Sequence, residues 1–460
     1  MLDRNLVKDI LNEALSTGGD YAEVFVENSF ASTLQTAEHR VKQSASGLVF
    51  GVGIRIFSGV NSVYAYTNLS DRESLLRTAQ KAARGILAHK RNIVFDFVDV
   101  EIENIHKINK KFEELNKSDK IDLMEKISCY AYESSPLISR VDATYLEKKR
   151  HTLVANTLGV WAEDTLFRNR FSLSAIAAKD NLSESAGNNF GGLYGLELFD
   201  KYDHREFAEK VAEDAVSKLS AEDCPSGKMD VIIGNGFGGV IFHEACGHGL
   251  EAEAVAKNAS VFAGKLGQKV ASELVTAYDD ATIPNAWGSI NIDDEGVKTQ
   301  RKLLIENGIL KGYMVDRLNG RRMGMEPNGC ARRQNYKFAP TSRMSNTFIA
   351  NGNSTLEEMI AKTEYGLFAQ KMSGGSVNTA SGEFNFSVDK AFIVEKGKIK
   401  QQVKGAKLIG SGVEVLQQID MVGNDMDLAC GMCGASSGSI PTTVGEPAVR
   451  VRNITVGGQR

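Results

Sequence analysis

Several features that would identify a secreted, membrane-spanning or nucleic-acid-binding protein are missing from this 460-residue sequence. Six cysteines are too few for a disulfide framework in so long a chain, which indicates a reducing, cytoplasmic setting. No apolar run approaches the roughly 20 residues that a helix needs to span a bilayer. The N-terminus, MLDRNLVKDILNEALSTGG, lacks the apolar segment of a signal peptide. The net charge of −4 argues against a basic nucleic-acid-binding surface.

Histidine is also scarce, and of the seven in the chain only His243 and His248 lie close together. Their segment, IFHEACGHGLEAE, is one residue longer than the His-Glu-x-x-His zinc motif of metallopeptidase helices. Residues five apart in a regular α-helix are separated by about 140°, so the two rings would not share an ion. A π-bulge near Cys246 and Gly247 would bring the rings into line. From the spacing alone, two unrelated histidines on an ordinary helix are as plausible as a metal site.

The composition and the hydrophobic pattern predict an α+β protein of two to four domains. Over residues 1–222, helical periodicity alternates with apolar–polar alternation, which predicts helices packed on curved antiparallel sheet. The order helix, meander, helix, meander suggests two diverged halves. After the linker EDCPSGK, residues 226–460 are typical of a β-rich domain that holds the histidine-bearing helix.

A glycine-rich turn before that helix favours a different function. VIIGNGFGG matches G-x-G-x-x-G through Gly234, Gly236 and Gly239, follows a predicted strand and opens a helix, as in dinucleotide-binding folds. Glu253 follows about twenty residues on, but on or just past the same helix rather than after a second strand. The surrounding chain lacks an alternating βαβ pattern, so a dinucleotide-binding oxidoreductase is the weaker hypothesis. The plainer alternative is that the glycines let the helix begin close to another backbone segment.

Two histidines need a third ligand, and the segment LACGMCGASSGSIP offers two thiols. Cys430 and Cys433 form C-x-x-C, but no second pair exists to complete a four-ligand structural zinc site. Their glycine-rich setting also differs from that of a thioredoxin-like redox pair. A thiolate from either residue would complete the ligand set, whereas Cys246, between the histidines, is expected to face elsewhere. The residues alone leave Cys430 and Cys433 open.

A basic loop and an acidic turn are further candidates. Arg332, Arg333 and Arg343, with Tyr336, would suit a groove that binds the carboxylate or the carbonyls of a peptide. A solvated basic loop is at least as consistent with the composition. The three acids at 293–295 could form a metal cluster, but three adjacent acids before a glycine are more typical of a solvated turn.

Taken together, these segments resemble the TldD/PmbA family of peptidases, once called modulators of DNA gyrase. The resemblance covers nearly the whole chain, and its motifs occur in one order: DYAEVFVE, SASGLVFGVGIRIF, HEACGHGLEAE, IDDEG, LIENGILKGYM, SRMSNTFI, KGAKLIGSG, MVGND and NITVGG. The family contains paired paralogues, of which one keeps the metal motif and the other lacks it. This chain keeps the motif and therefore resembles the active, TldD-type member.

The resemblance implies a metallopeptidase with one divalent ion, Zn²⁺ or another metal, bound by His243, His248 and a downstream cysteine. Glu244 falls on the catalytic glutamate, which takes a proton from the attacking water. The family places the cysteine, within a Cys-Gly pair, eight residues before the proline of a Ser-apolar-Pro turn. That position is occupied by Cys433 here, with Cys430 as the fallback.

The resemblance also implies a site sequestered between domains or subunits, which admits small or unfolded peptides. Gly374 and Gly375 would bind the substrate backbone as an added strand, and such binding depends little on the substrate's side chains. A homodimer or a heterodimer with a TldE/PmbA-like paralogue is expected, without nucleic-acid or membrane partners. The remaining rival is a catalytically silent scaffold or regulatory partner, which would have no need of a metal site.

Overall fold

The computed structural model describes residues 1–86, 93–378 and 380–458. The predicted end of the second helix and the start of the charged connection after it fall on residues 87–92, outside the described residues. The described chain combines helices with long antiparallel sheet and a β-rich C-terminal part, so the expected α+β fold class is confirmed. No helix in these three ranges is long and apolar enough to cross a bilayer.

The N-terminal part consists of two units with the same order of elements. The first contains α1 (Arg4–Ala14), β1 (Tyr21–Ala37), β2 (Arg40–Ser58), β3 (Asn61–Thr67) and α2 (Arg72–Ala83). The connection holds β4 (Val98–Asp99) and a 3₁₀ turn at Phe112–Glu114. The second unit contains α3 (Lys117–Ser134), β5 (Ile138–Asn156), β6 (Val160–Lys179), β7 (Leu182–Gly192), a 3₁₀ helix at Leu196–Lys201 and α4 (His204–Lys218). That the units are diverged duplicates stays a prediction, as does the division of the chain at 222–226.

One continuous sheet joins the two units. β1 pairs antiparallel with β5 along its length, from Glu23 opposite Asn156 to Ala37 opposite Asp142. The strand order is β3-β2-β1-β5-β6, with β7 and β4 both pairing with β6. Helices α1 and α2 pack on the first meander, and α3 and α4 on the second. Side chains on the sheet face away from the helices are therefore available to contact the C-terminal part.

The C-terminal part is built mainly from short strands. Its strands are β8 (Glu222–Asp223), β9 (Gly227–Ile233), β10 (Ala277–Asp280), β11 (Arg301–Glu306), β12 (Ile309–Leu310), β13 (Ala331–Arg332), β14 (Thr341–Ser342), β15 (Asn346–Ile349), β16 (Tyr365–Val377), β17 (Glu383–Glu395), β18 (Lys398–Lys404), β19 (Lys407–Ser411), β20 (Ile419–Val422), β21 (Asp427–Ala435), β22 (Gly438–Glu446) and β23 (Val449–Gly457). Its helices are α5 (Val240–Ala245), α6 (Ala252–Ala256), α7 (Arg317–Met323), α8 (Leu356–Ala361) and α9 (Gly412–Gln417), with 3₁₀ turns at Gly236–Gly239 and Gly247–Leu250. The segments IENGIL and VEKGKI predict hairpins with Asn-Gly and Lys-Gly at the turn. Both hairpins form, and Asn307, Gly308, Lys396 and Gly397 all have the positive φ of a type I′ turn.

Two sheets enclose the histidine-bearing helix α5. The strands β16-β9-β23-β19-β17 form a closed barrel, because β17 also pairs with β16. A separate sheet has the order β12-β11-β10-β15-β22-β21, which leaves β21 at its edge. Five of the six residues of α5 are buried, in a core that includes Phe242, Val231 and Phe386. Four of the six residues of α5 are apolar and pack into this core, so this sequence places His243 inside the protein rather than on its surface.

Buried ion pairs connect the N-terminal sheet to the C-terminal part. Arg55 of β2 pairs with Glu23, 3.0 Å away, and with Glu295 across the interface. Arg333 pairs with Glu23 at 2.9 Å from the other side. Glu295 and Asp293 are completely or almost completely buried, so the expectation of a solvated acidic turn is wrong. Arg55 compensates the charge of Glu295, whereas Asp293 accepts hydrogen bonds from the backbone N–H groups of Glu295, Val297 and Ala331.

Candidate metal centre

The two histidines are brought together by a break in the helix and not by a π-bulge. α5 ends at Ala245, and Cys246 has the non-helical angles φ −126° and ψ −51°. The chain then re-enters a helical path as a 3₁₀ turn at Gly247–Leu250. The expected widened helix is therefore wrong, but the ring centroids of His243 and His248 still lie 5.1 Å apart.

The backbone accommodates this break without losing its hydrogen bonds at the junction. Cys246 N donates to Phe242 O at 3.0 Å, and Leu250 N donates to Cys246 O at 3.1 Å. The Cys246 side chain is buried in the apolar core, away from the histidines. Gly247 has an ordinary negative φ, so its role is to leave space: a Cβ there would lie 2.1 Å from Met344 Sδ.

Close packing also accounts for the glycines that precede the helix. A Cβ on Gly234 would lie 2.4 Å from the carbonyl oxygen of Gln370, and one on Gly239 would lie 2.6 Å from the backbone of Gly445. β9, which leads into this turn, belongs to the barrel and pairs parallel with β16 and antiparallel with β23. The glycines thus serve the close approach of backbones, and the βαβ setting of a dinucleotide site is not what surrounds them.

Cys433 completes a compact set of three potential ligands. One ligand atom from each of His243, His248 and Cys433 lies within 4.8 Å of the other two. Cys433 Sγ is 3.2 Å from His248 Nε2. Ligands of one tetrahedral zinc ion stand about 3.5 Å apart, given Zn–N near 2.0 Å and Zn–S near 2.3 Å. The spacing and the two-imidazole, one-thiol donor set therefore fit a single ion.

Cys430, the other thiol of the C-x-x-C pair, lies elsewhere. Its Sγ donates to the carbonyl oxygen of Gly191 at 3.4 Å, in the N-terminal sheet. Burial raises the pKa of this thiol to about 12, with Arg170 as the strongest opposing influence. Two residues three apart on β21 thus face different surroundings, and Cys433 is the one near the histidines.

The electrostatics of the two imidazoles differ. His243 is 2% exposed, and its Nδ1 has no hydrogen-bond partner among the described residues. Burial, reinforced by His248 and Arg343, holds the His243 pKa well below its usual value. Burial would also lower the pKa of His248, but the Glu251 carboxylate and Cys433 together raise it well above the usual value. His243 is therefore neutral, which is the form that binds a metal.

Glu244 is placed beside the same cluster. Its Oε2 lies 3.7 Å from His248 Nε2. Burial raises the pKa of its carboxyl group, while His248 opposes the shift and Glu251 adds to it. A carboxyl group with a raised pKa is better matched to accepting and returning a proton near neutral pH.

Glu251 is a functional residue that the sequence interpretation missed. His248 Nδ1 lies 3.1 Å from Glu251 Oε2 and Nε2 lies 3.2 Å from Cys433 Sγ, so a proton held on Nδ1 by the carboxylate would leave Nε2 as the nitrogen that can bind a metal. Such a carboxylate behind a ligating histidine fixes its tautomer and ring orientation. The signal was present as His-x-x-Glu within GHGLEAE.

Arg343 supports the ligands from behind. Its Nη2 donates to the carbonyl oxygen of Cys433 at 2.6 Å, and its Nη1 donates to Ser437 Oγ and to the Gly438 carbonyl oxygen, both at 2.9 Å. Its Nε is 3.7 Å from Glu251 Oε1. The side chain is fully buried, so this placement does not fit the expectation that Arg343 lines a substrate groove.

Arg333 and Tyr336 also lie outside the groove. Besides its pairing with Glu23, Arg333 stacks over Phe25 with its guanidinium carbon 4.0 Å from the ring centre. Tyr336 packs tightly on Gly51 of β2, where a Cβ would lie 2.3 Å from the tyrosine ring. Both residues join the N-terminal sheet to the C-terminal part, and neither lines the cavity over the metal ligands.

A cavity of about 610 Å³ opens over Glu244, His248 and Cys433. The end of β16 and the end of β21 form two of its walls, through residues 375–377 and 432–435. Gly375 therefore lines the cavity, as expected for a substrate-binding residue, and Gly374 precedes it on the same strand. Gly375 cannot carry a side chain, because a Cβ would lie 2.0 Å from the Phe386 ring.

Comparison with known proteins identifies a family over almost the whole chain. The models of PmbA/TldA metallopeptidase domain 1, the central domain and the C-terminal domain match residues 22–85, 110–219 and 226–458. The metalloprotease TldD homologue of Haemophilus influenzae is 38% identical over 451 residues, covering 95% of this chain and 93% of that protein. The Buchnera aphidicola homologue from Acyrthosiphon pisum is 34% identical over 473 residues, covering 100% and 98%. The crystal structure of TldE from Thermococcus kodakarensis superposes with a TM-score of 0.78 at 20% identity, covering 98% of this chain and 100% of that one.

Proposed function

This chain belongs to the PmbA/TldD family of metallopeptidases, and we propose that it hydrolyses small or unfolded peptides at one ion, Zn²⁺ by preference. His243, His248 and Cys433 would hold the ion. The observation that carries this proposal is the meeting of these three ligand atoms within 4.8 Å, with the Glu244 carboxylate beside them. Two imidazoles and a thiolate are a ligand set typical of zinc, and three protein ligands leave a fourth position free for water or substrate.

When bound, the ion would polarise the scissile carbonyl and acidify the attacking water. His243 and His248 would hold the ion through unprotonated ring nitrogens, which for His248 requires loss of the Nε2 proton while Nδ1 keeps its proton toward Glu251. Cys433 contributes a thiolate, which donates more charge than a third imidazole would. Glu244 accepts a proton from the attacking water on its carboxylate and then donates it to the leaving amine, which completes hydrolysis of the peptide bond.

The two strand ends beside the ligands suit an extended peptide. β21 is an edge strand, since β22 is its only partner among the described strands. β16 pairs with β9 only through residues 366–369, so within the described chain its end at 374–377 has one edge without a strand partner. A substrate would bind to one of these edges as an added strand, through backbone hydrogen bonds. This mode of binding favours unfolded chains and depends little on the substrate's side chains.

We also propose that the protein acts in the cytoplasm as a homodimer or with a TldE/PmbA-like paralogue. The outer half of β2, residues 40–49, is exposed on the described surface, and Leu48 is 78% exposed. Large exposed apolar side chains on a long strand are a common feature of protein–protein contacts. The TldE fold relationship is consistent with pairing between related chains.

The test compares wild type with Glu244→Gln for zinc content and for cleavage of unstructured peptides. Glu253→Gln is the matched control, because Glu253 lines the same cavity but pairs with Lys257 and Ser436. Retained zinc with cleavage reduced about 10²–10⁴-fold in Glu244→Gln alone supports the assigned roles. Full cleavage by Glu244→Gln excludes the mechanism, and a wild type without stoichiometric metal would favour a silent scaffold.

A further inference from the structure

A second cavity, of about 260 Å³, lies between the N-terminal sheet and the β21–β22 hairpin. Most of its polar lining is cationic, with one carboxylate: Lys148, Arg150, Arg168, Arg170, Arg332, Arg333 and Asp294. Met432 lines this cavity and also the cavity over the metal ligands. Met432 precedes Cys433, and Ile440, opposite Cys433 on β22, is part of the cationic cavity as well. The cationic cavity therefore adjoins the metal centre.

Half of these cations have carboxylate partners. Lys148 lies 3.5 Å from Glu27, Arg150 lies 3.1 Å from Asp294, and Arg333 is paired with Glu23. The other three, Arg168, Arg170 and Arg332, form no ion pair with any residue that the structure describes. Asp164 partly offsets the charge of Arg168, and Asp294 that of Arg332, but the cavity lining still holds six cations against one carboxylate.

Two of these three guanidinium groups are deeply buried. Arg168 is 6% exposed and donates to the carbonyl oxygens of Trp287 and Ser289, at 2.9 and 3.0 Å. Arg332 is 4% exposed and donates to the carbonyl oxygens of Met344 and Pro441, at 2.6 and 2.7 Å. Carbonyl oxygens satisfy N–H groups but supply no negative charge, so the desolvated cations still repel one another.

The pKa values of both arginines reflect their burial and this excess of positive charge. Burial, followed by the neighbouring Arg332 and Arg150, lowers the pKa of Arg168 to about 9. Burial also lowers the pKa of Arg332 to about 10, where Asp294 opposes the shift and Arg343 adds to it. An anion in the cavity would relieve this repulsion, because its field favours every charged guanidinium around it.

We propose that this cavity binds a carboxylate of the peptide substrate, either its C-terminal carboxylate or an Asp or Glu side chain. The inference rests on the proposed peptidase function and defines its substrate class. Guanidinium groups recognise carboxylates through charge-assisted, paired hydrogen bonds. The apolar side chains of Leu146, Ile290 and Ile440 in the same wall suit the aliphatic stem of such a residue. A peptide lying along β21 would pass Met432 immediately beside Cys433, so the recognised residue lies within a few positions of the scissile bond.

Arg170 is the residue to alter, since it is half-buried and its described contact is stacking on Trp287, 5.4 Å from the ring centre. Lys149→Gln is the matched control, because Lys149 is exposed and next to Lys148 on β5, where successive side chains face opposite sides of the sheet. Binding is measured by calorimetry to zinc-loaded Glu244→Gln protein, which does not turn the peptide over. The probes are four unstructured peptides of one sequence, with a C-terminal carboxylate or amide and with Glu or Gln beside the expected cleavage site.

The carboxylate-bearing peptides are expected to bind about tenfold more tightly than the neutral peptide, as one charge-assisted contact would give. Arg170→Gln should abolish this preference, Lys149→Gln should keep it, and sodium acetate should compete with acidic peptides only. A preference for the C-terminus alone or for the side chain alone identifies the source of the carboxylate. Equal binding of all four peptides, or a preference that survives Arg170→Gln, overturns the proposal. Wild-type cleavage without carboxylate preference refutes this inference alone, whereas no cleavage of any peptide refutes the proposed function.

Discussion

Glu251 Oε2 lies 3.1 Å from His248 Nδ1 and so determines which ring nitrogen of His248 faces Cys433. The carboxylate is itself held near Arg343, which also binds the carbonyl oxygen of Cys433. One buried arginine thus links the support of the histidine to the strand that carries the thiol. The histidine, the cysteine and their supporting residues form one connected unit.

Replacing Glu251 with Gln should weaken metal binding without abolishing it. The amide keeps the shape of the side chain but lacks the charge that raises the basicity of the His248 ring. Loss of such an outer partner typically lowers metal affinity about 10–100-fold. Competition with a zinc chelator measures the change, with Glu253→Gln as the control that should match wild type. An unchanged zinc affinity in Glu251→Gln would show that the contact does not orient the ring.

Cys433→Ser should lose zinc, whereas Cys430→Ser should keep it. The reason is geometric, since Cys433 Sγ is 3.2 Å from His248 Nε2 and Cys430 Sγ is bonded to Gly191. A serine hydroxyl is a poorer ligand for zinc than a thiolate. Elemental analysis of the two purified variants measures the metal. The opposite pattern would move the third ligand to Cys430.

Gly247→Ala should destabilise the protein by about 1–3 kcal/mol, the usual cost of overpacking. The added methyl group would lie 2.1 Å from Met344 Sδ, so the methionine must move. Urea unfolding measures the difference, and Gly374→Ala is the control because nothing lies within 4 Å of its Cβ position. The stability lost through Gly247→Ala should be smaller when Met344 is already replaced by Ala, because the clashing side chain is then absent. Additive effects of the two substitutions would contradict the predicted clash.

Arg55→Met should destabilise the protein by about 3–5 kcal/mol near neutral pH, since it removes the arginine paired with buried Glu295 and one of the two paired with Glu23. Arg72→Met, which breaks the exposed 2.7 Å pair with Asp9, should cost less than about 1 kcal/mol. Thermal unfolding of both variants measures these losses. A small effect of Arg55→Met would show that water reaches the interface.

The effect of Arg55→Met should shrink in acid. Burial would raise the pKa of Glu23, but Arg55 and Arg333 lower it below its ordinary value of 4.5. A carboxyl group with a depressed folded-state pKa stabilises the fold above its unfolded pKa and loses that contribution as the pH falls through the folded value. Stability curves of wild type and variant should therefore converge below pH 4.5, and parallel curves would contradict the pairing.

The sequence predicted the elements of the fold better than the environment of individual charges. The segment LSDRESLLRTAQKAARGIL predicts a helix capped by Ser70 or Asp71, and the structure caps it with Asp71; the hairpins at Asn307 and Lys396 likewise follow from local chemistry. The segment SDKIDLMEKISCYAYESS predicts a helix opened by Ser118, but α3 is capped by Asn116, whose side chain accepts from Asp119 N. Local rules therefore located this helix but misplaced its cap by two positions.

The features that the sequence did not predict depend on packing between residues that lie far apart in the chain. The break after Ala245 depends on Met344, which lies against Gly247, and on Gly412, where a Cβ would be 2.1 Å from the Ala245 carbonyl oxygen. Neither partner is visible in the motif itself. Similarly, the sequence suggests that Arg333 is an exposed cation. Its partner Glu23 lies 310 residues away, so nothing near Arg333 in the sequence indicates the ion pair. Cys433 is distinguished from Cys430 by the family resemblance, because residue spacing alone leaves both thiols possible.

The thiol of Cys433 and the ring of His248 are separated by 185 residues of sequence. An ion bound to both would cross-link the chain and close a loop of that length within the C-terminal part. Such a link ties the buried helix inside the barrel to the edge strand of the second sheet, which otherwise touch through side chains. Removing the metal should therefore loosen the β21–β22 hairpin first, and hydrogen exchange along β21 should accelerate in the chelated protein while the barrel stays protected.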